Sequence, residues 1–115
     1  MKAKSNIVLV DDPLSHAAVV EFLQMEGYPV QFLPGGAFLV RKLLLLLAAD
    51  KCDLLLIDPI QVNSIQASVI NIMMRGCSMI GYTDSDSYRG LALVDRVGKD
   101  LGFKELLTSI KRNTK

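Results

Sequence analysis

Two short runs constrain this chain more than any other feature: residues 6–10 (NIVLV) and 53–57 (DLLLI). Each is wholly apolar after its first residue, and each is stopped by an aspartate. A run that is apolar at every position, with no alternation, reads as a strand buried on both faces. A sheet holding two such strands needs cover on both sides, and the remaining segments supply it.

Residues 13–27 carry Val19, Phe22 and Leu23 in helical phase, and Gly27 stands where a helix C-terminus favours glycine. A second strand is expected at 29–33, before the Pro34-Gly35-Gly36 turn, and a helix at 37–49. A further helix over 65–74 ends at Arg75-Gly76, and residues 78–82 form a fourth strand. Residues 88–94 fit a short helix, and 95–98 a weak fifth strand. In the last helix Phe103, Leu106, Leu107 and Ile110 fall at i, i+3, i+4 and i+7, with Lys111 and Arg112 complementing the dipole. Strand and helix thus alternate about five times through short connections, the pattern of an α/β parallel sheet with right-handed crossovers. No repeat or linker interrupts it, and 115 residues hold one core, so residues 1–115 are expected to be one domain.

Composition narrows the function classes. Half the chain is apolar and 22% is charged, as in a packed globular protein. The net charge of +1, with both signs scattered, gives no reason to expect nucleic acid or a membrane surface as partner. The basic ends, 1–4 and 111–115, are expected to be solvated tails. The longest apolar stretch, Leu43 to Ala49, is too short to span a bilayer, and the opening residues do not form a signal peptide. A soluble, cytoplasmic protein is expected. Cys52 and Cys77 lack metal-ligand spacing and are expected to be buried free thiols.

The polar residues at the strand ends carry the chemistry. Asp11 and Asp12 follow the first strand, Asp58 the third, Thr83 the fourth and Lys99 the fifth. All lie at carboxyl ends, the edge where doubly wound sheets place their sites. Three carboxylates gathered there would repel one another, and a hard divalent ion such as Mg²⁺ is the natural compensator. A lysine and a hydroxyl at the same edge can hold the oxygens of a transferring phosphoryl group. Taken singly, each residue has a plainer role: an aspartate or threonine after a strand can be a helix cap, and a lysine can be simply exposed. Their joint placement at four strand ends favours a phosphoryl-transfer site.

At these residues the sequence resembles the receiver domains of two-component response regulators. The match runs nearly end to end. It takes in Ile-Val-Leu-Val-Asp11-Asp12, Val19-x3-Leu23-x3-Gly27-Tyr28, Asp53-Leu-Leu-Leu-Ile-Asp58, Tyr82-Thr83, and Lys99 with Glu105-Leu106-Leu107. The resemblance implies a flavodoxin-like, doubly wound, five-stranded parallel sheet of order 2-1-3-4-5. It implies Asp58 as phosphoacceptor, Asp12 as a direct Mg²⁺ ligand, Asp11 acting mainly through water, and the Ile60 carbonyl as the third protein ligand. Thr83 and Lys99 would contact phosphoryl oxygens. The implied partners are a sensor histidine kinase or phosphotransfer protein and a downstream protein target. No enzymatic activity is implied beyond self-phosphotransfer and autodephosphorylation.

Departures from the family pattern concentrate between Asp58 and Lys99. Pro59-Ile60-Gln61-Val62-Asn63 replaces the usual Met-Pro and glycine loop, and both the 58–83 and 83–99 spacings are short by about a helical turn. Asp84 stands where a small residue is usual, and its charge would face an incoming phosphoanion and slow uptake. Arg96 replaces an aromatic residue. Asp100 replaces a proline, so a trans Lys99–Asp100 bond is expected. These changes keep two other readings open: a phosphorylation-independent pseudo-receiver acting as an interaction module, and, less favoured, a small metal-dependent phosphohydrolase. The latter lacks a second aspartate two residues after Asp58, where Ile60 stands, and has no room for a cap domain. His16 is expected at an exposed helix position, and Met73 and Met74 in ordinary packing. The run Leu43 to Leu47 is apolar all round its helix and could support a weak homodimer, to be checked by sedimentation at high micromolar concentration.

Overall fold

Alternating side chains on the first strand feed two separate cores. The computed structural model describes residues 4–114; residues 1–3 and Lys115 of the basic ends lie outside them. In β1 (Ile7–Asp11), Ile7 and Leu9 enter one apolar cluster while Val8 and Val10 enter the other, and every residue of the strand is buried. β3 (Leu54–Ile57) divides in the same way, Leu54 and Leu56 against Leu55 and Ile57. Such strands are stable only in the middle of a covered sheet.

The sheet is parallel throughout, and its order is β2-β1-β3-β4-β5, as the resemblance implied. Its other strands are β2 (Val30–Pro34), β4 (Ser78–Tyr82) and β5 (Asp95–Val97). One face is covered by α1 (Ala17–Met25) and α4 (Phe103–Asn113), through Val19, Leu23, Leu106 and Ile110. The other is covered by α2 (Leu39–Ala48) and α3 (Ser64–Met73), through Leu39, Leu43, Ala67 and Ile70. Met74 is buried and Met73 packs beside it, as ordinary core residues do. Among the described residues no helix is long and apolar enough to cross a membrane.

Three expectations need correction. Residues 88–94 are not helical. Thr83 and Ser85 each accept a backbone N–H two residues on, from Ser85 and Ser87, and such local bonds draw a chain away from helix. Arg89 and Gly90 then adopt φ of 52° and 84°. The Asn71 side chain of α3 completes the loop, donating to the Gly90 carbonyl and accepting the Ala92 N–H, both at 2.8 Å. Leu91 and Leu93 still reach the core, which explains the apolar signal there.

The first helix starts at Ala17 rather than Pro13, because Asp12 closes a turn by accepting the Leu14 N–H at 2.8 Å. His16, at the head of that helix, is not exposed: its ring stacks on Phe32 with centroids 3.6 Å apart. Lys4 is exposed, as expected of the basic end, with its ammonium 4.6 Å from the centre of the Tyr28 ring.

In α2, Leu43 is fully buried while Leu44 and Leu45 are exposed, so the helix carries a surplus apolar surface. Of the two free thiols, Cys52 is buried and Cys77 partly so. Burial above all, with the neighbouring Cys77 and Asp53, pushes the Cys52 thiol up to about 12. Only the thiolate is alkylated readily. At pH 8 Cys52 is therefore expected to resist iodoacetamide in the folded protein, Cys77 to react slowly, and both to react at once in denaturant. Equal rapid labelling of both thiols in the native state would contradict this.

Candidate functional site

The carboxyl edge of the sheet gathers two buried carboxylates on one ammonium. Asp11 is the last residue of β1 and is 1% exposed; Asp58 follows β3 and is 5% exposed. Because β1 and β3 are adjacent and in register, Val10 beside Ile57, the residues that follow them emerge side by side. Lys99 arrives from the far end of the chain, in the 3₁₀ turn Lys99–Leu101 that follows β5. Its Nζ donates to Asp11 Oδ1 at 2.5 Å and to Asp58 Oδ2 at 3.0 Å. It also lies 5.6 Å from the centre of the Tyr82 ring.

Asp58 serves the fold as well. It caps the 3₁₀ turn Pro59–Gln61, with Oδ1 accepting the Ile60 N–H at 3.1 Å. The capping role and the site role thus fall on different oxygens of one side chain. Asp11 Oδ1 takes the Asp12 N–H at 2.7 Å in addition to the lysine. The electrostatics follow from these bonds. Burial pulls Lys99 down, but hydrogen bonds and charge from Asp11 and Asp58 outweigh it and hold the ammonium above the ordinary lysine range. Burial, then the charge of Asp11, raises the Tyr82 phenol, against the opposing pull of Lys99.

The remaining expected site residues stand at the rim of this cluster. The Asp12 carboxylate is engaged by the Leu14 N–H. Thr83, 1% exposed, accepts the Ser85 N–H on its hydroxyl at 3.1 Å, and its own N–H donates to the Val97 carbonyl. The Ile60 side chain is exposed. Among the described residues no three acidic, histidine or cysteine side chains are grouped closely enough to hold a metal ion. The donor set nevertheless suits a hard cation. Two carboxylate oxygens already converge on one positive centre, and the Asp12 carboxylate follows Asp11 directly at the same strand end.

Two contacts that the sequence did not announce tie the loop after β4 to the chain on either side of the lysine. Asp84 Oδ1 accepts the Asp100 N–H at 3.1 Å. That bond, opposed by desolvation and helped by Lys99, holds the Asp84 carboxyl below the usual range. Arg96 donates through Nε and Nη2 to the Ser85 carbonyl, at 3.1 and 2.8 Å, with Asp86 at 3.5 Å. The Lys99–Asp100 bond is trans, as expected for a bond that lacks proline.

No protein-family model matches this chain, and no curated protein matches it significantly. Solved structures do. The Thermotoga maritima response regulator TrrA, in complex with Mg²⁺ and BeF, aligns with a TM-score of 0.71 at 23% identity, over 95% of this chain and 98% of that one. This chain has the receiver-domain fold. A structure of the histidine kinase ThkA in complex with TrrA aligns at 0.73 and 23% identity, covering 95% and 97%. The co-crystal of Saccharomyces cerevisiae Ypd1, a histidine phosphotransfer protein, with the receiver domain of Ssk1 aligns at 0.70 and 14% identity, covering 98% and 90%. Against that receiver fold, the segment without its expected helix, 88–94, lies in the stretch where the sequence departs most from the family pattern.

Proposed function

We propose that this chain is a signalling receiver that takes a phosphoryl group on Asp58. The observation that carries this reading is the Lys99 ammonium shared between buried Asp11 and Asp58 at the carboxyl edge of a receiver sheet. Asp58 Oδ2 is the nucleophile: it attacks phosphorus, and the bond from phosphorus to the donor's oxygen or nitrogen breaks with its electrons leaving on the donor. Lys99 then turns from the carboxylates to the new phosphoryl oxygens, and the Thr83 hydroxyl donates to another. Asp11, Asp12 and Asp58, with the Ile60 carbonyl, would hold Mg²⁺. The ion would supply the positive charge that lets an anionic donor approach three carboxylates.

The donors proposed are a sensor histidine kinase or a phosphotransfer protein, by analogy with the partners in the ThkA and Ypd1 complexes. The setting is the cytoplasm, with no catalysis on outside substrates beyond self-phosphotransfer and autodephosphorylation. The test is the intact mass after treatment with a small acyl phosphate and Mg²⁺. One observation favours a second reading: the two-pronged Arg96 clamp on the Ser85 carbonyl ties down the loop after Thr83. If no phosphoryl mass is gained, the chain works as a phosphorylation-independent interaction module.

A further inference from the structure

The turn that carries Lys99 is capped from another strand's end. Lys99–Leu101 is a single 3₁₀ turn whose N-cap position is Gly98, a residue with no side chain to accept the turn's free N–H groups. Asp84, which follows β4 by two residues, supplies the acceptor instead, its Oδ1 taking the Asp100 N–H at 3.1 Å. The space is shaped for this contact. A Cβ on Gly98 would lie 2.7 Å from Asp100 Oδ1 and 3.3 Å from Asp84 Oδ1. The Asp100 N–H is available because residue 100 is not proline. Asp84, Gly98 and Asp100 therefore act as one device, and the residue it fixes is the immediate neighbour of Asp100. Lys99 has a long, flexible side chain whose ordering is costly unless its backbone is held. β5, which leads into the turn, is only three residues long and lies at the edge of the sheet.

We infer that Asp84 is a positioning residue: it aims Lys99 at Asp11 and Asp58 by holding the Lys99–Asp100 peptide. The inference deepens the phosphoryl-site reading by assigning the lysine's alignment to a side chain outside the cluster. Asp84 and Asp100 are both exposed, so their variants should fold.

The test compares Asp84→Ala, which removes the acceptor, with Asp84→Asn, which keeps an oxygen there without the charge. Two NMR signals of the metal-free protein are read: hydrogen exchange at the Asp100 amide, and the Lys99 ammonium signal, which two carboxylates protect in the wild type. In Asp84→Ala the Asp100 amide should exchange roughly tenfold faster, the weight of about one hydrogen bond. The Lys99 ammonium signal should broaden or disappear. In Asp84→Asn both should stay close to wild type. An unchanged ammonium signal in Asp84→Ala would overturn the inference even with a faster Asp100 amide, because the bond would then hold the turn and not the lysine. Equal loss in both variants would also overturn it, since the effect would then be one of charge alone. Neither readout involves phosphorylation, so a wild-type protein that takes up no phosphate would refute the functional reading and leave this result standing.

Discussion

Asp58→Asn is expected to abolish the phosphoryl mass that the wild type gains from a small acyl phosphate with Mg²⁺. The asparagine amide has nearly the same shape but no anionic oxygen to attack phosphorus. Its carbonyl oxygen can still accept the Ile60 N–H, so the 3₁₀ turn that Asp58 caps should survive. The amide NH2 then stands where Oδ2 accepted from Lys99 and cannot accept in its place, but Lys99 keeps its bond to Asp11 and one of two buried like charges is gone, so the melting temperature should change little. Lost uptake with an intact melting curve separates the chemical role of Asp58 from its structural one. Chelating Mg²⁺ should remove the mass gain from the wild type as well. Uptake that persisted in Asp58→Asn would place the acceptor elsewhere.

The parts of this molecule legible in the sequence are those that depend on burial. β1 and β3 announce themselves because both faces are covered, and the polar residues ending them are conspicuous for that reason. Asp11, Asp58 and Lys99 could thus be assigned to one edge, although Lys99 lies 88 residues from Asp11. What could not be read depends on partners that the chain does not label. The 88–94 loop has apolar residues at plausible helical spacing, while several of its backbone bonds go to distant partners, the Asn71 side chain of α3 and the Met79 carbonyl of β4. Asp84 reads from the sequence only as a charge facing an incoming anion, because the backbone N–H it accepts, that of Asp100, follows another strand. His16 reads as exposed because Phe32, which covers it, belongs to β2 and not to its own helix.

The second large effect concerns stability. Lys99→Ala leaves two buried carboxylates facing each other without a cation. Breaking a fully buried pair costs about 3–5 kcal/mol, and since the Lys99 side chain is 25% exposed, solvent screening reduces this to about 2 kcal/mol. For a chain of this size that lowers the melting temperature by roughly 8 °C. The pH dependence has a definite sign. Asp11 and Asp58 hold Lys99 above its ordinary value of 10.5, so its contribution is complete below that pH and is lost as pH rises through the folded value. The gap between wild type and Lys99→Ala should therefore be constant from pH 7 to pH 9 and narrow in stronger base. Millimolar Mg²⁺ should restore part of the loss in Lys99→Ala, because an ion bound only by the folded state stabilises it by mass action. It should do less for the wild type, where the ammonium competes for the same oxygens. A variant as stable as the wild type at pH 7 without divalent ions would mean the ammonium contributes nothing to holding these carboxylates, and the cluster could not be the charge-compensated site described here.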